Sequence, residues 1–146
     1  MNKLELRLAE NESVQYFEIL IDGKSLAGYF AGPLGSVPDL ISPLGPVESD
    51  LAEYYRDQFS RFLLEKEPDF PNGRNSILIC PLCGDLACGA YTAKFQKGND
   101  LICWTEFGYE NNYDPESVEL DAYKEIPAFV FAWDAYEAEL RRHISG

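Results

Sequence analysis

Three of the four cysteines fall in one short stretch, Cys80-Pro-Leu-Cys83-Gly-Asp-Leu-Ala-Cys88. Cys80-Pro81-Leu82-Cys83-Gly84 has the form of a zinc knuckle, in which two thiolates two residues apart converge on one ion and the glycine permits the tight turn. A closed site needs four ligands, and no second Cys-x-x-Cys pair follows at the spacing of about 15–20 residues that zinc ribbons use. Only Cys88 and the isolated Cys103 remain. If Gly98-Asn99 is a two-residue hairpin loop, Cys88 falls near Tyr109, about five residues or roughly 17 Å along the strand from Cys103. Cys103 is then excluded, and a zinc site would rest on Cys80, Cys83 and Cys88 with Asp85, water or an outside ligand. Thiol redox chemistry is a second use of Cys-Pro-x-Cys, but it places the first thiol at a helix N-terminus. Gly84, Gly89 and the alternation of Tyr91, Ala93 and Phe95 point to turn and strand instead. The third reading, small buried thiols and glycines forming a corner between strands, is the favoured one.

The second chemical feature is a run of carboxylates and tyrosines. From Glu106 through Glu125 there are seven carboxylates against one lysine, interleaved with Phe107, Tyr109, Tyr113 and Tyr123. Aromatic side chains give contact area at little cost in rotamer entropy, and carboxylates around them steer and pair with Arg or Lys on a partner. The candidate partner-binding residues are Trp104, Glu106, Tyr109, Glu110, Asn111, Tyr113, Asp114 and Glu116. The competing reading is a solvated loop whose tyrosines pack back on the sheet.

Acid–base and nucleophilic catalysis find little support, and the residues lean away from an enzyme. The single histidine, His143, follows Arg141 and Arg142 in the last turn of a C-terminal helix, where a cation complements the helix dipole; it reads as a solvated cap. There is no nucleophile elbow, P-loop or dinucleotide fingerprint. No cofactor is expected beyond zinc at the three cysteines.

Composition sets the class. The 146 residues suffice for one domain, 1–146, that buries a core without staples. With 46% hydrophobic residues and a net charge of −13, the acidity belongs to the surface of a folded body. Each phosphate contact would need a cation that is scarce here, so nucleic acid and anionic membranes are disfavoured and a basic protein partner is favoured. No apolar run approaches the ~18 residues of a membrane span, and Met1 to Leu8 lacks the apolar core of a secretory signal. A cytoplasmic location is expected.

Several elements would position these groups. Leu4, Leu6 and Leu8 alternate with Glu5 and Arg7 as in a half-buried strand, Asn11-Glu12 makes a turn, and Val14 to Ile21 returns as a second strand. Asp22-Gly23 turns into Leu26–Phe30, a short strand or turn of helix. Gly32 to Pro46 holds four of the nine prolines and reads as a crossing loop packed on the core by Leu34, Val37, Leu40, Ile41 and Leu44. Pro46 opens the main helix, about 46–65, along the stripe Val47, Leu51, Tyr54, Tyr55, Phe59, Phe62 and Leu63. Ile77-Leu78-Ile79 is a central strand, Gly89–Gln96 and Asp100–Gly108 form a hairpin pairing Phe95 with Ile102, Ala93 with Trp104 and Tyr91 with Glu106, and Ala128–Phe131 is a strand leading into a helix over about 134–144. The fold class is α+β: a mostly antiparallel sheet of five to seven strands with the main and C-terminal helices packed on it.

Ile79-Cys80, Cys83-Gly84-Asp85 and Cys88-Gly89-Ala90, then Trp104, Phe107 and Glu110-Asn111 on the hairpin, and finally Phe129-x-Phe131 and Tyr136-Glu137-Ala138, resemble a group of small, largely actinobacterial proteins of uncharacterised activity. The resemblance covers about Ile77 to Leu140 and implies fold rather than reaction. The leading functional reading is a small acidic protein-binding domain, an immunity-type inhibitor of a basic toxin or nuclease in its most concrete form. The alternative is a zinc-binding or thiol-redox module centred on Cys80, Cys83 and Cys88.

Overall fold

Leu4 and Leu6 turn into the interior while Glu5 and Arg7 face outward, and this alternation builds β1 (Leu4–Asn11). β1 pairs antiparallel with β2 (Val14–Ile21) from Leu4–Ile21 to Asn11–Val14. Asp22 and Gly23 both take positive φ, 56° and 82°, as a two-residue turn between right-twisted strands requires, and deliver the chain to β3 (Lys24–Ser25). The computed structural model describes residues 1–11, 14–34, 41–48, 51–68, 70, 73–79, 90–110, 124 and 126–144, without the side chains of 11, 31–34 and 110. Leu26–Phe30, left open between strand and helix, belongs to helix α1 (Leu26–Leu34).

A second antiparallel sheet follows, in the order β4 (Asn75–Ile79), β5 (Ala90–Lys97), β6 (Leu101–Glu110), β7 (Phe129–Ala132). The fold is therefore α+β as expected, with seven strands among the described residues divided into sheets of three and four. The sheets are stitched at both margins. At one, the Asn2 backbone N–H donates to the Val130 carbonyl at 2.7 Å and its side-chain oxygen accepts the Val130 N–H at 2.8 Å. At the other, Ile41 exchanges two backbone hydrogen bonds with Ile79, while the Leu44 carbonyl accepts from Phe17 N–H. β4 was expected in mid-sheet; it lies at a sheet margin, and all five of its residues are buried because Ile41 covers part of that edge.

The main helix starts later than Pro46. Helix α2 spans Ala52–Phe62, because Leu44 and Val47 are themselves core residues and Gly45 passes directly beneath the Tyr55 ring, where any β-carbon would overlap it. The chain has to run past the helix before it can turn into it. Tyr55, Phe59 and Phe62 form the buried stripe that periodicity predicts, and Leu64 ends the helix in the left-handed region at φ 62°. Helix α3 (Trp133–Ile144) buries Tyr136 and Leu140, and the Tyr136 hydroxyl donates to the Phe62 carbonyl at 2.7 Å, tying the two helices together.

In the last turn of α3, Arg141 and Arg142 are exposed but His143 is packed, not a solvated cap. The His143 ring lies 4.4 Å from that of Phe17, and its Nε2 is 3.5 Å from a Glu139 oxygen. Glu139 also accepts the Leu6 backbone N–H at 2.7 Å, so the helix covers part of the outer edge of β1. Burial, helped by neighbouring Arg142, lowers the His143 pKa against the opposing pull of Glu139. Burial would raise the Glu139 carboxyl, but Arg142, the Leu6 N–H and His143 outweigh it and hold that carboxyl below its usual range. Since the unfolded chain takes up the histidine proton first, stability should fall as pH drops below about 6.5. A second loss should follow below about pH 4.5 as Glu139 protonates in the unfolded chain. Urea midpoints from pH 8 to 3 should show both limbs, and His143→Gln should abolish the upper one and reduce the lower one, to which His143 contributes through Glu139.

Candidate functional site

The β5–β6 hairpin is where the acidic run begins. Its turn lies one residue beyond the expected place: Gly98 N–H donates to the Leu101 carbonyl at 2.9 Å, so that Asn99-Asp100 occupies the bend. The register therefore moves by two, pairing Phe95 with Trp104 and Lys97 with Ile102 in place of the expected Phe95–Ile102 and Ala93–Trp104. A shift of two leaves every side chain on its own face. Further along, a bulge between Thr92 and Lys94 sets Glu106 and Phe107 against Ala93, and Tyr91 then pairs with Tyr109 instead of Glu106.

The bulge decides which side chains face out. Without it, strict alternation from Ile102 and Trp104 would drive Glu106 into the core. With the extra residue, Phe107 turns inward, buried, while the Glu106 side chain is 51% exposed. Glu106 reaches this conformation at φ 52°, in the left-handed region. Its carbonyl is held by the guanidinium of Arg74, which also donates to Thr92 Oγ1 at 2.9 Å and to the Thr92 carbonyl at 3.2 Å. Arg74 is buried, at 3% exposure. It is the residue that reading by motif passes over, and the available signal is a lone cation three residues before the apolar run Ile77-Leu78-Ile79.

The candidate partner-binding residues divide accordingly. Trp104 is fully buried, stacked on Phe95 at 4.7 Å with 8° between the rings and met edge-on by Phe62, so it belongs to the core and its assignment to a contact surface is corrected. Glu106 is outward, with its carboxylate 3.6 Å from Lys94 Nζ. Tyr109 is half-buried, its ring 5.2 Å from Tyr91, which in turn leans on Phe30. The Glu110 backbone ends β6 opposite Ala90, but its side chain lies outside the described residues, as do Asn111, Tyr113, Asp114 and Glu116.

Charge is divided unevenly along the chain. All 12 lysines and arginines lie in described residues, together with 14 of the 25 carboxylate side chains. Twelve against 14 gives that part a formal charge of −2, and the other 11 carboxylates bring the chain to −13. Within the described part many of the charges are locally matched, as in Lys66–Asp57 at 2.9 Å, Arg141–Glu65 at 2.7 Å and Arg142–Glu139 at 2.6 Å. Six of the 11 remaining carboxylates fall between Glu110 and Glu125.

Cys80, Cys83 and Cys88 lie outside the described residues. Their segment joins Ile79 to Ala90, which pair directly across two antiparallel strands. Cys103 stands half-buried on β6 between Gln96 and Val130, seven residues from Glu110, which pairs with Ala90. That is roughly 24 Å along the strand, so Cys103 stands well apart from both anchors of the segment. Among the described residues no group of three or more His, Cys, Asp or Glu is placed to hold a metal ion, and no helix is long and apolar enough to cross a membrane. No family model, curated protein or solved structure matches the chain.

Proposed function

We propose that the chain is a binding domain whose acidic, tyrosine-bearing run from Glu106 to Glu125 engages a basic protein, as an immunity-type inhibitor covers the phosphate-reading site of a basic toxin or nuclease. The contact residues in this reading are Glu106, Tyr109, Glu110, Asn111, Tyr113, Asp114 and Glu116. The division of charge carries it. The described body nearly neutralises itself, whereas six carboxylates against one lysine are concentrated in one short stretch of sequence that continues directly from β6. Such a local field steers a cationic macromolecule and weakens as salt screens it.

Charge reversal tests the reading. One variant carries Asp114→Lys, Glu116→Lys, Glu119→Lys and Asp121→Lys; a control of equal charge change carries Glu48→Lys, Glu53→Lys, Glu67→Lys and Asp134→Lys. Wild type and control, used as bait in lysate of the source cells, should retain the same basic protein in a salt-sensitive manner, and the first variant should lose it. Equal retention by both variants refutes the reading. Stoichiometric zinc in protein purified without chelator would instead favour the metal- or thiol-dependent module at Cys80, Cys83 and Cys88.

A further inference from the structure

Glu106 occupies a backbone position that suits glycine. At φ 52° a β-carbon crowds the neighbouring carbonyl, and bulges that demand such a conformation commonly carry glycine there. The glutamate side chain returns little to the fold, since among the described residues its carboxylate has only the loose contact with Lys94 at 3.6 Å, with both side chains about half exposed. The backbone beneath it is held firmly, by a buried guanidinium that clasps its carbonyl together with both oxygens of Thr92. A strained residue on a rigid mount, with its charged end presented to solvent, is the arrangement of a preorganised contact.

We propose that Glu106 is a specificity-determining contact of the acidic surface, a fixed carboxylate at the root of the run that takes an arginine or lysine side chain of the basic partner and releases Lys94, with Arg74 as its positioning residue. This deepens the reading above and rests on it. A carboxylate on a braced strand loses little freedom on pairing, so its removal should weaken binding strongly.

Glu106→Gly separates the two roles of the residue, because it relieves the backbone and deletes the carboxylate together. Its Tm should rise by about 2–4 °C. Binding of a ten-residue peptide of alternating arginine and glycine, followed by amide shifts of Thr105, Phe107 and Gly108, should weaken about tenfold or more. Glu106→Asp, which keeps the charge and tolerates the left-handed region, should bind within about threefold of wild type. Leu64→Gly is the control: at φ 62° it relieves the same kind of strain at the end of α2, so Tm should rise with peptide binding unchanged. A fall in Tm for Glu106→Gly, or undiminished peptide binding by it, overturns the proposal. If wild type and the Asp114/Glu116/Glu119/Asp121 reversal bind the peptide equally or not at all, the acidic-surface reading falls and takes the proposal with it.

Discussion

Trp104→Ala is expected to cost about 3–5 kcal/mol of folding free energy, the range for deleting a buried aromatic side chain. Trp104 has no exposed surface, and around it stand Phe95, stacked at 4.7 Å, and Phe62, Phe131 and Tyr136, met edge-on at 5.6, 5.1 and 6.1 Å. These neighbours come from β5, α2, β7 and α3, so the indole is where the four-stranded sheet and both longer helices meet. A cavity there cannot be closed by moving one element alone. Against a total stability of about 5–15 kcal/mol, the variant should lie close to its unfolding threshold. Trp133, the other tryptophan, is half-buried with Lys97 Nζ 4.8 Å from its ring centroid, and Trp133→Ala should cost only about 1 kcal/mol. Urea denaturation followed by far-UV circular dichroism measures both; similar losses at the two positions would show that the core is not centred on Trp104.

Arg74→Met should destabilise by about 3–5 kcal/mol, because two main-chain carbonyls and one hydroxyl lose a charged donor inside the protein and each buried orphan costs about 1–3 kcal/mol. The methionine fills much of the stem's volume, so the loss would report the guanidinium and not a void. Arg74→Lys should recover only part of it. Nε bonds Thr92 Oγ1 while Nη2 bonds the Thr92 and Glu106 carbonyls, a spread that a single ammonium cannot span. Amide exchange at Thr92, Thr105 and Phe107 should accelerate in both variants before the rest of the sheet is affected. A methionine variant within about 1 kcal/mol of wild type would mean that the bulge stands without its brace.

Much of the architecture is legible because local signals agree. The alternation around Leu4 and Leu6, the Asp22-Gly23 turn and the stripe from Tyr55 to Phe62 all say what the structure shows. The hairpin register was missed because Gly98-Asn99 resembles a bend, whereas Gly98 closes it and Asn99-Asp100 forms it. The bulge had a trace in the sequence: apolar residues at 102 and 104 change parity to 107 and 109, which an unbroken strand cannot place on one face. The acidic neighbours of Trp104 point to the surface, although the hairpin pairing sets it on one face with Phe95 and Ile102, which argues for the interior. Arg74 was invisible for another reason, since nothing local distinguishes a buried arginine from the many that are solvated.

The stitch at Asn2 governs the order in which a nascent chain can become native. Asn2 bonds Val130 across 128 residues, and Leu6 meets Glu139 across 133. Early in synthesis the β1–β2 ribbon can form before the groups that close its outer edge, Val130 and Glu139, exist. Contacts of such sequence separation slow folding, because the entropy of joining distant segments is lost before their docking is gained. Completion therefore waits until the segment from Val130 to Glu139 has left the exit tunnel. Until the C-terminal helix emerges, the young protein exposes a strand that chaperones or other nascent chains are able to pair with.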